Sequence, residues 1–422
     1  MSSSSQPPSN FSDVRMRGFA QRTPVADVIE WLENNVTPVG TESIELTEGA
    51  GRVLAEPITS SVNVPGFHRG MMDGFAVQAA DTAGASSYNP LPLHVIGESL
   101  PGAPFEGQAG KGEAVRIMTG APLPTGSDTV LPVELTQVRE NEVLVIEQVA
   151  EGKNVGQPGE DIQAGEVVFA AGRCLRPQDV GVLSSMGIAQ LSVVTKVRVR
   201  ILVTGDELLS PGSAPHGCFI ADANSPMLSA LVCRDGGIPE NPGIVPDDPA
   251  EILKALHSDV DVVLVSGGTS VGQEDHAPLL VAEHGELAIH GIAMRPSSPT
   301  GIGRIGDRLI FLLPGNPVSC LCAYDFFAGR AIRVMAGYRP QWPYSTLRLP
   351  LRHKLVSAIG RVDYARVRIV DDQVEPLAIG GASILSSTTR SDGFVIVPQD
   401  SEGFPDGSEI DVFLYDSLVT GN

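Results

Sequence analysis

The sequence predicts a multidomain α/β plus β protein, with a doubly wound parallel α/β domain set among β-rich segments, and three observations carry that expectation. Between Val197 and Met335, short apolar, β-branched runs alternate with helix-like segments, the pattern of a parallel sheet covered on both faces. From about Pro57 to Glu147 the chain breaks into short apolar runs separated by Gly and Pro, which reads as β-structure. Beyond a boundary at Gly337 to Trp342, residues Thr346 to Tyr415 alternate apolar and polar with no helical period. At 422 residues the chain exceeds the length one core sustains, roughly 250–300 residues, so about three domains or more are expected.

Taken in order, the first 17 residues are Ser-, Pro- and Asn-rich, lack the apolar core of a signal peptide and read as a disordered tail. Thr23-Pro24 starts a helix with Val25, Val28, Ile29, Leu32 and Val36 on one face, ended by Pro38 and Gly40. The β-rich stretch has apolar runs at Leu93–Ile96, Ala114–Ile117, Thr129–Val133 and Val143–Ile146. Two segments within it are odd for a plain β-domain, Gly70 to Ala76 (GMMDGFA) and Arg116 to Glu134 (RIMTGAPLPTGSDTVLPVE), although turn chemistry alone accounts for much of them. Glu151 to Gly172 is polar and Gly-rich and returns the chain toward the N-terminal helix, and Pro177 opens a helix through Ser184 and Met186. The α/β segment then reads strand Val197–Val203, helix Ser225–Cys233, strand Ile238–Val245, helix Pro249–His257, strand Val260–Val265, helix Pro278–His284, strand Leu309–Leu313 and helix Val318–Met335. Asp248 before Pro249 is the expected N-cap of the second helix.

The formal charge of −21 and pI near 4.7 argue against nucleic acid or an anionic membrane as a general partner, so an anionic ligand must be met by local basic residues or a metal. The five cysteines are odd in number and scattered without a Cys-x-x-Cys pair, which suggests neither a disulfide framework nor a zinc site. No stretch reaches the roughly 18 apolar residues of a membrane span, and a cytoplasmic location is expected.

Three apolar strands run into loops of Gly and small hydroxyls: Thr204 to Glu207 (TGDE), Ser266 to Asp275 (SGGTSVGQED) and Pro314 to Ser319 (PGNPVS). In a parallel sheet such loops line one crevice at the carboxyl ends of the strands. Gly267, Gly268, Gly272 and Gly315 let the backbone approach a ligand, and Ser266, Thr269, Ser270, Asn316 and Ser319 add hydrogen-bond donors, a set suited to a phosphorylated anion. Asp206, Glu207, Glu274 and Asp275 would repel it unless they carry a divalent cation such as Mg²⁺. Arg295, following an apolar run near the crevice, is the expected anion anchor. Gly268 to Gly272 also matches the G-x-S-x-G nucleophile elbow. The loop is prolonged by two carboxylates instead of turning into a helix, and no HGGG-type oxyanion loop precedes it, so a serine hydrolase is the weaker reading.

MDGFA (Met72 to Ala76), RIMTGAPLPTGSDTV (Arg116 to Val130), GEDI (Gly159 to Ile162), TGDEL (Thr204 to Leu208), SGGTSVGQED and LPGNPVS (Leu313 to Ser319) stand together in an order that resembles the molybdopterin molybdenumtransferase family. The resemblance implies an elongated discontinuous domain (18–56 and 148–178), an inserted β-domain (57–147), an α/β molybdopterin-binding domain (179–337) and a C-terminal β-barrel (338–422). It implies a homodimer with clefts between subunits, insertion of molybdate into adenylylated molybdopterin with Mg²⁺-dependent loss of AMP, and transient contact with a molybdopterin adenylyltransferase. Carried over by motif, the functional residues are Asp73, Thr119, Asp161, Glu207, Asp247 and Asp275, with Glu207 and Asp275 toward the metal. Gly267, Gly268, Ser270, Gly272, Arg295, Ser298, Pro299, Gly315, Asn316, Ser319 and Arg366 would contact substrate. The chain departs from the family where Met294 to Pro299 reads MRPSSP in place of MKPGKP, and where the Arg usually preceding GED is absent. Unless Arg304, Arg366 or Arg390 compensates, the loss of two cations weakens an oxyanion site, and a catalytically weakened paralogue that binds pterin or serves as a scaffold is the alternative. Ser298→Lys is expected to tighten molybdate binding measured by calorimetry; an unchanged affinity would refute the deficit.

Overall fold

The computed structural model describes residue 19, residues 21–269 and residues 275–416. The chain divides into two compact units, one of residues 1–42 and 194–422 and the other of residues 43–193.

The larger unit is built on a mixed sheet ordered Gly237–Glu240, Val197–Thr204, Val262–Ser266, Arg308–Leu313, Gly301–Ile305 and Glu286–His290. The first four are mutually parallel, Gly301–Ile305 runs antiparallel to them, and Glu286–His290 pairs antiparallel with Gly301–Ile305. The apolar runs explain the layering, because alternate residues of each strand point to opposite faces. Val199, Ile201, Val203, Leu264 and Phe311 pack on one side with residues of the helices Asn224–Arg234, Pro317–Ala323 and Gly329–Met335. Leu202, Val263, Val265, Ile310 and Leu312 pack on the other side with the helices Pro249–Leu256 and Ala277–His284. The α/β sheet is thus covered on both faces, as expected. The N-terminal helix, Val25–Asn35, buries Val25, Val28 and Leu32 in the first of these cores.

Several elements differ from expectation for identifiable reasons. Asn241-Pro242-Gly243 divides the expected strand 238–245 into Gly237–Glu240 and Ile244–Val245, both pairing with Val197–Thr204. The strands Glu286–His290 and Gly301–Ile305 were not anticipated. Gly301 and Gly303 weaken the apolar signal, and a Cβ on Gly303 would overlap the Glu286 carbonyl. The long helix expected over 318–335 is two α-helical pieces joined by a π-helical turn at Tyr324–Ala328. Asp248 is the N-cap it was expected to be, accepting from the Ala250 and Glu251 amides at 2.9 and 3.1 Å.

Within the same unit the C-terminal β-domain joins Ser345–Pro350, Glu409–Leu414, Gly393–Val397, Val362–Val370 and Gln373–Ala378 around Leu351, Val367, Val374, Val395 and Val412. A parallel pairing of Met294–Arg295 with Val362–Asp363 adds the MRPSSP segment to this sheet. A short helix at Ser386–Thr389, too polar to register in the sequence, interrupts the β-pattern.

In the smaller unit a six-stranded sheet is ordered Thr129–Pro132, Gly74–Val77, Glu113–Ile117, Leu91–Ser99, Glu142–Val145 and Thr136–Arg139. The MDGFA motif therefore enters a sheet strand, and a Cβ on Gly74 would overlap the Leu131 carbonyl. The return segment pairs Val155–Gly156 with Arg69–Gly70, and Val167–Phe169 with Ile58–Thr59. Around the helix Pro177–Ser185 a second core gathers Leu54, Leu175, Leu183 and Val193.

A buried polar cluster ties the α/β layer to the chain entering the C-terminal domain. Arg234 Nη2 lies 2.8 Å from Asp235 and 3.0 Å from Asp325, and the Tyr344 hydroxyl donates to Asp325 Oδ2 at 3.0 Å. Trp342 Nε1 donates to the Asp325 carbonyl at 2.9 Å. Burial of Asp325 outweighs what Arg234 and Tyr344 return, because Arg234 is shared with Asp235, and the carboxyl is pushed up from 3.8 to about 6. Between those values the folded state holds a proton the unfolded chain has released, so stability falls as pH rises through that window. Asp325→Asn is expected to flatten this part of a Tm-against-pH profile, and an unchanged slope would assign the pH dependence to other groups.

Candidate functional site

The carboxyl ends of the parallel strands converge on the Gly loops. A Cβ on Gly267, at φ 96°, would overlap the Thr204 carbonyl, so only glycine lets this loop cross the end of the neighbouring strand. A Cβ on Gly268 would lie 3.3 Å from Thr204 Cγ2 and 4.0 Å from Asp247 Oδ1. The Thr204 hydroxyl donates to the Asp247 carboxylate, and the Glu207 carboxylate fills the space beside Gly205, with Oε2 2.8 Å from where a Cβ would stand. A Cβ on Gly315 would meet Gly267 Cα at 3.6 Å. Asn224, which no sequence motif singled out, holds these loops together: Nδ2 donates to Ser266 Oγ at 2.9 Å and to the Gly315 carbonyl at 2.7 Å. Thr269 Oγ1 donates to the Leu313 carbonyl at 2.8 Å.

The structure therefore gathers Gly267, Gly268, Gly315 and Asp247 at one strand end, with Glu207 beside Gly205 on the adjoining loop. Ser270 and Gly272 lie outside the described residues. Asp275 is half-buried near His290, whose pKa burial lowers against the opposing effects of the Thr269 carbonyl and the Asp275 charge. Among the described residues no three metal-capable side chains form a cage. The donors at the strand end are carboxylate and hydroxyl oxygens, which fit Mg²⁺, a cation commonly held by one or two carboxylates with phosphate and water completing its shell.

The PGNPVS loop leads from this crevice into a cavity of about 780 Å³ whose wall includes Arg22, Arg295, Arg361, Ser298, Asn316 and Ser319. Pro299 also lines it, and none of the described lining residues is acidic, in a chain of net charge −21. Behind the wall, fully buried Asp363 receives Arg295 Nε at 3.0 Å and a second bond from Arg295 Nη2, and the Ser357 hydroxyl donates to it at 2.6 Å. Arg361 Nε stands 3.2 Å from the same carboxylate without hydrogen-bond alignment. Arg366 is fully buried and donates through Nη2 to the carbonyl of Gly380, a cavity residue, while its Nε and Nη1 have no partner among the described residues. The buried Ser298 hydroxyl also has none. Buried polar groups are generally satisfied, so these orphans around one cavity point to a polar occupant. Ser297, standing where the family motif has Gly, sits at φ 90° and donates to the Ser319 carbonyl at 2.6 Å. Of the arginines considered as substitutes, Arg304 donates to the Asn35 carbonyl at 2.7 Å and Arg390 to Ser386 Oγ at 2.6 Å.

In the smaller unit, Asp73 Oδ1 accepts from both the amide and the hydroxyl of Thr119 at 2.7 Å. These bonds, the backbone one first, lower its pKa, so this exposed carboxylate is charged at neutral pH. Asp161 is exposed beside Glu160, to which Arg69 Nη2 donates at 2.7 Å. An arginine from the chain preceding MDGFA thus stands at the GED segment, which lacks its own. Phe67, Met71 and Met72, in the chain leading to Asp73, are exposed.

Models of known families match three successive stretches: the MoeA N-terminal region (domain I and II) over residues 23–187, the probable molybdopterin binding domain over 200–333, and the MoeA C-terminal region (domain IV) over 348–415. A molybdopterin molybdenumtransferase of Haemophilus influenzae is 31% identical over 92% of this chain and 97% of its own. The chain belongs to the molybdopterin molybdenumtransferase (MoeA) family. A putative molybdopterin biosynthesis protein of Methanocaldococcus jannaschii is 33% identical over 94% of this chain and 96% of its own. A crystal structure of the molybdopterin biosynthesis MoeA protein of Pyrococcus horikoshii OT3 overlays with a TM-score of 0.78 at 31% identity, covering 94% of this chain and all of that one. The multidomain fold is therefore the MoeA fold, with the α/β layer in the molybdopterin-binding stretch.

Removing a buried member of an ion pair leaves its partner uncompensated. Asp363→Asn is expected to destabilise the protein by about 3 kcal/mol in urea denaturation, and a loss below about 1 kcal/mol would mean that Asp363 does not hold the cavity wall together.

Proposed function

We propose that this protein acts in molybdenum cofactor biosynthesis as a molybdopterin molybdenumtransferase, inserting molybdate into adenylylated molybdopterin with release of AMP. The observation that carries the reading is the cavity: guanidinium groups and orphaned donors without a described carboxylate in its wall, joined through Asn316 and Ser319 to the glycine crevice. Molybdate belongs in this cavity. The adenylylated pterin belongs along Gly267, Gly268 and Gly315, where backbone approach is closest.

Mg²⁺, when bound, neutralises charge on the pyrophosphate that is cleaved. Asp247, oriented by the Thr204 hydroxyl, Glu207 and Asp275 would hold that cation beside the phosphates. The protein's part is positioning and neutralisation, as in other phosphoryl chemistry. A second copy of the chain brings Asp73 with Thr119, and Asp161, to this cleft. The exposed Phe67, Met71 and Met72 in the chain leading to Asp73 support such a covered, homodimeric face. A transient contact with a molybdopterin adenylyltransferase would deliver the substrate. No helix among the described residues is long and apolar enough to cross a membrane, and we place the reaction in the cytoplasm.

Ser298 in place of the family lysine favours a second reading, a pterin-binding paralogue with weakened turnover. Purified protein with Mg²⁺ and adenylylated molybdopterin is expected to release AMP when molybdate is added, with tungstate as a parallel, and Asp247→Ala is expected to lower the rate by about 10²-fold or more. Tight substrate binding with no AMP from either oxyanion would reject the transferase reading in favour of the paralogue.

A further inference from the structure

The segment ahead of the N-terminal helix is fixed against the cavity by its own chemistry. Proline at 24 disfavours the helical region for Thr23, and Thr23 runs alongside Ile292 in a parallel bridge. Its amide donates to the Gly291 carbonyl at 2.9 Å, and the Ala293 amide donates back to the Thr23 carbonyl at 2.9 Å. Four residues earlier the Phe19 ring meets His290 edge-on, centroids 4.9 Å apart. It does so over Gly291, whose φ of 88° and missing Cβ admit the ring. Gln21 and Arg22, held between these two anchors, both line the cavity.

The charges around the cavity are unequal. Arg295 and Arg361 share the single carboxylate of Asp363, Arg366 is spent in part on the Gly380 carbonyl behind the wall, and Arg304 and Arg390 are bonded elsewhere. Arg22 is exposed, lines the cavity and makes no ion pair or hydrogen bond among the described residues, so its five donors and full charge are not spent on a protein partner.

We propose that Arg22 is a specificity-determining cation of this cavity, supplying from the N-terminal segment the charge that Ser298 does not supply. It fits a compact tetrahedral dianion, because a guanidinium presents parallel donors to two oxygens of such a group. This proposal rests on the reading of the cavity as the molybdate site and adds a residue that none of the sequence motifs contains.

The experiment is calorimetric titration of the full chain with sodium molybdate at two salt concentrations, using four proteins: native, Arg22→Gln, Ser298→Glu and the double variant Arg22→Gln/Ser298→Lys. Arg22 is exposed, so its replacement leaves the fold intact. Loss of one charge-assisted contact is expected to weaken affinity about tenfold, to flatten the salt dependence and to be restored in the double variant. If Ser298→Glu abolishes binding while Arg22→Gln leaves it unchanged, the cavity is the oxyanion site and the proposal for Arg22 is overturned. If Ser298→Glu binds molybdate like the native protein, the oxyanion sits elsewhere, and both the proposal and the reading beneath it fail.

Discussion

A carboxylate removed from water must be matched by charge and hydrogen bonds, and the wall of the arginine-lined cavity depends on one such group. Asp363 is fully buried at the start of the strand Val362–Val370, and that position forces Arg295 and Arg361 to turn toward it. The parallel bridge between Met294–Arg295 and Val362–Asp363 follows the same line of force, drawing a loop of the α/β layer onto the C-terminal sheet. The cavity is where these pieces meet. Among the described residues its orphaned groups include Arg366 and Ser298, one from each of the two sides that Asp363 joins.

The charge pattern follows from this constraint. A chain of net charge −21 can attract a dianion only where the field is locally inverted, and the cavity wall inverts it by concentrating guanidiniums and excluding carboxylates among its described residues. The acids are placed elsewhere, on loops at the ends of strands. Asp247 is oriented by Thr204, and Asp73 by both donors of Thr119. The arginine-lined cavity and the acidic positions thus occupy different stretches of chain, so each can be tuned without neutralising the other.

Local patterns made much of this legible before any coordinates. The apolar runs at 197–203 and 309–313, the Asp248-Pro249 cap and the glycines at 267, 268 and 315 each record a requirement set by immediate neighbours in the chain. The failures are of a different kind. Gly74–Val77 reads as a loop motif because its strand character comes from partners forty to sixty residues away, at Ile117 and Pro132. Asn224, Asp363, Arg69 and Arg22 escape notice because each meets its surroundings across a long sequence separation: Asn224 at Ser266 and Gly315, Asp363 at Arg295, Arg69 at Glu160, and Arg22 in the wall of the cavity that Ser298 also lines. The motifs record the missing lysine at 298, but of the arginines in the cavity wall, Arg22, Arg295 and Arg361, the first precedes the first helix and lies in no motif.

The reciprocal bonds between Thr23 and the 291–293 segment give the cavity a built-in reporter. The amide protons of Thr23 and Ala293 exchange with deuterium only when this short bridge opens, and opening it also moves the neighbouring cavity residues Arg22 and Met294. Anything that settles in the cavity and holds Arg22 in place slows the exchange of both protons together, so occupancy can be followed by isotope uptake at the leading edge of the chain, with no label or chromophore near the chemistry.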